Sequence, residues 1–157
     1  MRAVIPKPRF ATISCNTAGV GVPLATLARQ AFFKFDQDSV ITSVTINSNI
    51  TLNGALAQAI VAVAYNQGEN SVGVALPNPT LAIMWMDEAL NPVAGLNTFS
   101  KSVQLKFDGF LATSQTSIGL YANGLGANRS INANVSIAYS PLSEWVNFRE
   151  PRVAVRV

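Results

Sequence analysis

The chain has 157 residues, of which 49% are hydrophobic and 12% are charged, and its formal net charge is +3 with no histidine. This length suits one domain with a sizeable core, and the apolar fraction excludes intrinsic disorder. The lack of histidine excludes Ser–His and Cys–His nucleophiles and removes the commonest metal ligand, while the single cysteine excludes an intrachain disulfide.

Positive charge is concentrated at the two ends of the chain. Six of the eleven basic residues lie there: Arg2, Lys7, Arg9, Arg149, Arg152 and Arg156. Prolines at positions 6 and 8 favour extended backbone, so we predict an extended basic N-terminal arm over residues 1–12. Three charges release few counterions from a nucleic acid, so contact with protein or solvent is favoured over genome binding. The first ten residues also lack the apolar run of a signal peptide.

A period of two dominates residues 13–142, which we predict to form one β-sandwich domain. From Val40 to Leu52 the even positions are mostly apolar and the odd positions mostly polar, as in a strand with one buried face. The Asn47–Asn49 cluster is predicted to split this segment at a bulge or tight turn. The predicted strands, in chain order, cover 10–14, 31–36, 40–46, 49–53, 58–65, 72–76, 80–86, 100–108, 110–121 and 131–139.

Turn residues separate these strands, and helix signals are few. Asn123-Gly124 predicts a tight hairpin turn, and residues 23–28 and 56–59 are the two helix candidates. Many short strands with little helix predict an all-β, antiparallel sandwich. Eight strands in two sheets is the jelly-roll count, and an immunoglobulin-like sandwich is the alternative.

The C-terminal segment is predicted to leave the sandwich. Residues 143–157 follow Pro141 and the last clear strand, and we expect them to form an extended tail. Trp145 and Phe148 give this tail an apolar part, which we expect to dock on the domain or on a neighbouring molecule.

Long neutral runs mark the body of the chain. Thirty consecutive residues between Asp38 and Glu69 carry no formal charge. A free soluble domain usually has about a quarter charged residues. In residues 39–57 and 109–143 the outward positions are Asn, Ser and Thr where Lys and Glu would be usual. We therefore predict that these outward faces, together with the basic ends, are partner surfaces.

No set of residues in the sequence predicts catalysis, a cofactor or a metal site. Cys15 has uncharged neighbours, which favours a buried structural thiol over a reactive one. The acidic residues lie mostly in or beside predicted turns, and an enzyme would require two of them to converge in a cleft. From these observations we predict a non-enzymatic protein.

A short basic arm, a neutral β body and a tail that leaves it together resemble the layout of small jelly-roll virion proteins. This resemblance implies a structural subunit of a capsid shell, vertex, spike or decoration, located in the virion and assembled in the host cytoplasm. Its implied partners are copies of itself, as a trimer or ring, and neighbouring structural proteins, with no membrane span. The arm residues that would lock onto adjacent copies are Arg2, Lys7, Arg9, Trp145, Phe148, Arg149, Arg152 and Arg156.

The alternative interpretation is a carbohydrate- or receptor-binding β-sandwich such as a fibre tip. Asn-rich turns with an exposed aromatic residue would supply polar contacts and ring stacking in a shallow pocket. The candidate contact residues are Asn66, Asn70, Tyr121, Asn123 and Asn128. This alternative requires the aromatic ring to be accessible.

Overall fold

The computed structural model describes residues 6–18, 27–67, 72–77, 80–125 and 129–149. The described elements, in chain order, are β1 (Arg9–Ala18), β2 (Ala28–Lys34), β3 (Ser39–Asn53), β4 (Ala57–Gln67), β5 (Ala82–Asn91), β6 (Leu96–Ala112), β7 (Thr116–Leu125), β8 (Arg129–Pro141) and α1 (Leu142–Arg149). The strands form two four-stranded antiparallel sheets, which confirms the predicted all-β sandwich.

Each sheet contains strands from both halves of the chain. Sheet A has the order β1-β8-β3-β6, and sheet B has the order β2-β7-β4-β5. The antiparallel pairs are nested, because β1 pairs with β8, β2 with β7, β3 with β6 and β4 with β5. The first four strands are therefore matched in reverse order against the last four.

The core lies between the sheets and is built from alternate residues. Ile46 on β3 and Val135 on β8 face it from sheet A, while Val61 on β4 and Leu120 on β7 face it from sheet B, and all four side chains are fully buried. Burial of each such side chain contributes about 1.5–3 kcal/mol. The polar residues that alternate with the buried ones along β3 and β8 consequently point away from the core.

β3 is one continuous strand, so the predicted split at Asn47–Asn49 is wrong. The irregularity lies earlier, where the register with both neighbouring strands shifts between Ile41 and Ser43. An extra residue in one strand of a pair reverses which side chains face inward. This shift explains why Ile41 is buried at an odd position although Val44 and the residues after it are buried at even ones.

Four local predictions differ from the structure. The strand predicted over 110–121 is instead the end of β6, a turn at 113–115 and the start of β7. Residues 72–76 form only an isolated bridge, between Ala75 and Ala28, and not a strand. Asn123 and Gly124 lie inside β7 and do not form a turn. The helix candidate at 56–59 is wrong because β4 begins at Ala57, while most of the candidate at 23–28 lies outside the described residues.

Residues 142–149 form a helix, so the prediction of extended backbone there is wrong. Pro141 is the last residue of β8, and Leu142 N donates a hydrogen bond to the carbonyl oxygen of Asp38 at 2.9 Å, which fixes the start of α1 on the sandwich. Glu144 lies in the first turn, where a negative charge is stabilised by the helix dipole. Residues 150–157 lie outside the described part of the chain.

Candidate assembly interface

The outer face of sheet A consists of uncharged polar side chains. The pairing registers place these residues in four rows that cross β1, β8, β3 and β6. The described side chains of the rows are Thr12, Ser136, Thr45 and Gln104; Ser14, Asn134, Asn47 and Ser102; Asn16, Asn132, Asn49 and Ser100; and Ser130, Thr51 and Thr98. All are exposed or half-buried, and none is charged or apolar. We call this set the neutral face.

Hydrogen bonds between side chains connect the strands of the neutral face. Ser102 Oγ donates to Asn47 Oδ1 at 2.7 Å, and the hydroxyls of Thr51 and Thr98 are 3.3 Å apart. Both pairs join β3 to β6. A shallow depression of about 500 Å³ lies near the middle of the face. Residues of the neutral face line it, together with Ser48 and Lys101, whose pairing places their side chains on the inner side of the sheet. The lining residues of the neutral face are Asn47, Asn49, Ser100, Ser102, Asn132 and Asn134.

Charge begins at one border of the neutral face. The next row contains the exposed residues Phe10 and Lys106, joined through Ala138 and Ser43. Sheet geometry, with strands about 4.8 Å apart and every second residue about 6.8 Å apart, gives the neutral face an area of about 500 Å².

The outer face of sheet B is different, because other residues of the chain pack on part of it. Arg29 N donates to the carbonyl oxygen of Val74 at 2.8 Å, and Leu76 N donates to that of Leu27 at 2.7 Å. Leu27 and Leu76 pack on a second apolar cluster formed by Ala62, Ala64 and Tyr121. Residues 72–77 therefore pair with the β2 edge of sheet B, and Leu76 shields part of its outer face, whereas no described segment crosses the neutral face of sheet A.

A buried polar cluster lies under this cover. The Tyr121 hydroxyl accepts hydrogen bonds from Arg29 Nε at 2.9 Å, from Arg29 Nη2 at 2.7 Å and from Asn66 Nδ2 at 2.8 Å. The Arg29 guanidinium also lies over the rings of Phe32 and Tyr121, 5.7 and 5.4 Å from their centroids. Gly119 makes room for the tyrosine, because a Cβ there would lie 2.6 Å from the Tyr121 ring.

The described candidate glycan contacts are therefore interior residues. Asn66, Tyr121 and Asn123 are 1%, 0% and 3% exposed, and the Asn123 side-chain oxygen accepts a hydrogen bond from Gly124 N. Asn70 and Asn128 lie outside the described residues. Tyr121 therefore does not provide the exposed aromatic ring that the glycan interpretation requires.

The predicted arm residues are only partly within the described chain. Lys7 and Arg9 are exposed, and the Lys7 carbonyl oxygen accepts a hydrogen bond from Ser140 Oγ at 3.3 Å. Arg9 and Glu144 form an exposed ion pair at 3.6 Å, of a kind that contributes little to stability. Trp145 is half-buried in α1. Arg2, Arg152, Arg156 and the side chains of Phe148 and Arg149 are not described.

Cys15 and the acidic side chains are the other candidate chemical groups of the described chain. Cys15 is buried, and this burial raises the pKa of its thiol. Across the described ranges, no group of three or more His, Cys, Asp or Glu side chains could hold a metal ion. None of the described helical segments has the length and apolar character needed to cross a membrane.

Sequence reasoning located the β3 and β8 parts of the neutral face but not those of β1 and β6. On β6 the outward residues Thr98, Ser100 and Ser102 are neutral, but Lys101 interrupts the uncharged run in the sequence. Lys101 pairs with buried Ser48 and so lies on the opposite side of the sheet. Counting charge separately at even and odd positions would have revealed the β6 contribution.

Comparisons with known proteins add little. No protein-family model and no curated protein sequence matches this chain. One similar solved structure is that of infectious bursal disease virus Gx strain, with a TM-score of 0.38 and 15% identity. The match covers 86% of this chain and 32% of that one, so this chain spans about a third of the length of its neighbour. A likeness this weak carries no argument about function.

Proposed function

We propose that this protein is a non-enzymatic structural subunit that assembles with copies of itself, and that the assembly is a virion. The observation that carries this proposal is the neutral face, an open sheet surface with no charged side chain. The parts of the terminal segments 1–12 and 143–157 that lie outside β1 and α1 would lock onto adjacent copies, in addition to contacts made by the sheet. This assignment extends the resemblance in layout to small jelly-roll virion proteins.

The chemistry of the neutral face suits a surface that becomes covered. Dehydrating an amide or hydroxyl costs much less than dehydrating an ion, provided that it finds a hydrogen-bond partner. Asn, Ser and Thr side chains both donate and accept, so two such faces can satisfy each other without charge repulsion. A lone soluble monomer has no need to keep four adjacent rows of outward residues free of charge.

The size of the face explains why further contacts are needed. Two faces of about 500 Å² each would bury about 1,000 Å², which is near the lower limit for a specific interface. One such contact is therefore weak, and a stable particle would combine it with others. The terminal segments are the candidates for those contacts, because they carry six of the eleven basic residues.

The strand pairing supports the jelly-roll part of the proposal. In a jelly roll the chain folds as a long antiparallel ribbon wound into two sheets, so that the first strand meets the last and the fourth meets the fifth. The nested pairs β1–β8, β2–β7, β3–β6 and β4–β5 have this arrangement. An immunoglobulin-like sandwich has seven or nine strands and a different order.

Light scattering after size-exclusion chromatography tests the proposal. The full-length chain is expected to elute as an oligomer, and Asn134→Lys, at the middle of the neutral face, is expected to reduce its mass. Val93→Lys is the matched control, because it adds the same charge at an exposed residue of the β5–β6 connection. Removal of residues 1–9 or 145–157 should also reduce assembly without loss of the β circular dichroism signal. A full-length chain that stays monomeric at about 100 μM would refute the proposal.

A further inference from the structure

Strand β6 is an exposed edge of sheet A. Within the described residues it pairs with β3 alone. Every residue from Leu96 to Ser102 is exposed, including Leu96 and Phe99. A sheet edge carries a row of backbone N–H and C=O groups that can pair with another strand, and proteins usually protect such edges.

The hydrogen-bond alternation shows which backbone groups of β6 face outward. Gly54 N donates to the Gly95 carbonyl oxygen at 3.1 Å, and Asn53 and Leu96 form the next pair of the ladder. Antiparallel pairs alternate between hydrogen-bonded and non-hydrogen-bonded types, and the register is unbroken from Ser43 to Asn53. The even residues of β6 therefore direct their backbone N–H and C=O groups to the open edge.

Side-chain contacts agree with this assignment. Non-hydrogen-bonded pairs bring side chains closer together than hydrogen-bonded ones do. The two side-chain hydrogen bonds between β3 and β6 involve Ser102 with Asn47 and Thr98 with Thr51, both at even positions of β6. Thr98, Ser100, Ser102 and Gln104 thus present both a neutral side chain on the sheet face and backbone groups at the edge.

Of the usual guards against edge pairing, which include proline, bulges and charge, the first half of β6 has only a single charged residue. Residues 96–104 contain no proline, and their one charged residue is Lys101. Lys101 lies on the inner side of the sheet, where its Nζ is 3.1 Å from Asp87 Oδ1 on β5. Its charge is therefore compensated within the subunit. Lys106, Asp108 and the positive-φ Gly109 come only after this stretch.

We propose that β6 pairs antiparallel with β6 of a second copy about a twofold axis at Ser100. Since the even residues carry the free backbone groups, even residues must face even residues across the axis. Centring on Lys101 would place two lysines directly opposite each other, which is unfavourable. Centring on Ser100 instead places Lys101 opposite Phe99 of the partner subunit, a favourable cation–aromatic pair.

This pairing would form about ten backbone hydrogen bonds along residues 96–104, two for each of the five facing pairs of even residues. It would also join two four-stranded sheets into one eight-stranded sheet, with both neutral faces on the same side. The inference rests on the proposed function, because it identifies one of the contacts through which copies of this chain associate.

Cysteine crosslinking in the full-length chain tests the register. In Ser100→Cys the two introduced thiols would lie opposite each other, within the Cα separation of about 4.4–6.8 Å that a disulfide requires. Gln104→Cys is the matched control on the same edge and face. The two cysteines that it introduces would be eight residues out of register, or roughly 27 Å apart. The native Cys15 is buried and supplies the background level in the unmodified chain.

We expect mild oxidation to convert most of Ser100→Cys to a disulfide-linked dimer, with at least tenfold less for Gln104→Cys. Equal crosslinking of both variants would overturn the inference, since it would indicate random collision. An unlinked Ser100→Cys in a chain that light scattering still shows to be oligomeric would also overturn it, while leaving the proposed function standing. A monomeric full-length chain would refute both the β6 pairing and the proposed function.

Discussion

Replacing Tyr121 with phenylalanine tests whether the polar cluster of sheet B is part of the folded core or a surface for a ligand. The ring is fully buried, and its hydroxyl accepts three hydrogen bonds, two from Arg29 and one from Asn66. Tyr121→Phe keeps the ring and removes the acceptor. A hydrogen bond to a charged group contributes about 1.5–3 kcal/mol, and a buried donor left without its acceptor costs about 1–3 kcal/mol.

Allowing for relaxation of the two donor side chains, we expect Tyr121→Phe to lower the free energy of unfolding by about 3 kcal/mol. With a urea dependence of about 2 kcal/mol per molar, the midpoint should fall by roughly 1.5 M. The assay is equilibrium urea unfolding followed by tryptophan fluorescence. It should be done at low protein concentration, so that association does not contribute to the measured stability.

Tyr139→Phe is the matched control. Tyr139 is also a buried tyrosine of the sandwich, packed edge-on against Phe35, and loss of its hydroxyl should change the free energy of unfolding by less than about 0.5 kcal/mol. If Tyr121→Phe lowered the free energy of unfolding as little as Tyr139→Phe, the hydrogen bonds to the Tyr121 hydroxyl would not stabilise the fold. That result would favour the glycan-binding interpretation, which needs an accessible Tyr121.

The remaining predictions concern packing, association and reactivity. Gly119→Ala should lower the free energy of unfolding by about 1–3 kcal/mol in the same urea assay, because its Cβ would lie 2.6 Å from the Tyr121 ring. Ser100→Pro should weaken self-association in analytical ultracentrifugation but keep the β circular dichroism signal, since the N–H that it removes faces the open edge of β6 and not β3. Cys15 should react with iodoacetamide at pH 7 only after unfolding: burial raises its pKa, so the unreactive thiol form persists to higher pH than in the unfolded chain. Rapid labelling of Cys15 in the native protein would contradict its description as a buried, unreactive thiol.

Strand positions could be predicted from the sequence because the side-chain period of a strand is local information. The alternation from Val40 to Leu52 placed the buried residues of β3 correctly, apart from the reversal at Ile41. That reversal could not be read from the sequence, since the shift between Ile41 and Ser43 exists only relative to the neighbouring strands. The nested strand order likewise depends on contacts between the two ends of the chain.

The candidate glycan contacts show where local signals fail. Asn123-Gly124 has the composition of a tight turn, yet it lies in β7 beside Arg129, and a Cβ at Gly124 would be 2.6 Å from the Arg129 side chain. The glycine is needed for this close approach and not for a turn. Tyr121 was expected at the surface, but the arginine that holds it is 92 residues away in the sequence.

The helix α1 has a similar explanation. Its sequence lacks a strong amphipathic pattern, so periodicity did not predict it, and the prolines at positions 141 and 151 favoured extended backbone. The helix is instead fixed by contacts with the sandwich, through the hydrogen bond from Leu142 N to the Asp38 carbonyl oxygen. A short helix of this kind depends on tertiary contacts, which single-sequence reasoning does not include.

Face-to-face packing of the neutral faces and edge pairing through β6 together bury more area than face packing alone. One neutral face of about 500 Å² gives a face-to-face contact near the lower limit for specific association. Pairing through β6 would place two such faces side by side, as one surface of about 1,000 Å². If two of these dimers then packed face to face, the buried area would approach about 2,000 Å², the upper part of the standard range. Association should therefore be cooperative, with edge pairing first and face packing second. Because the neutral face carries no charge and the charge of Lys101 is compensated by Asp87 of its own subunit, both contacts should persist in 0.5 M salt, where association driven by the basic ends would weaken.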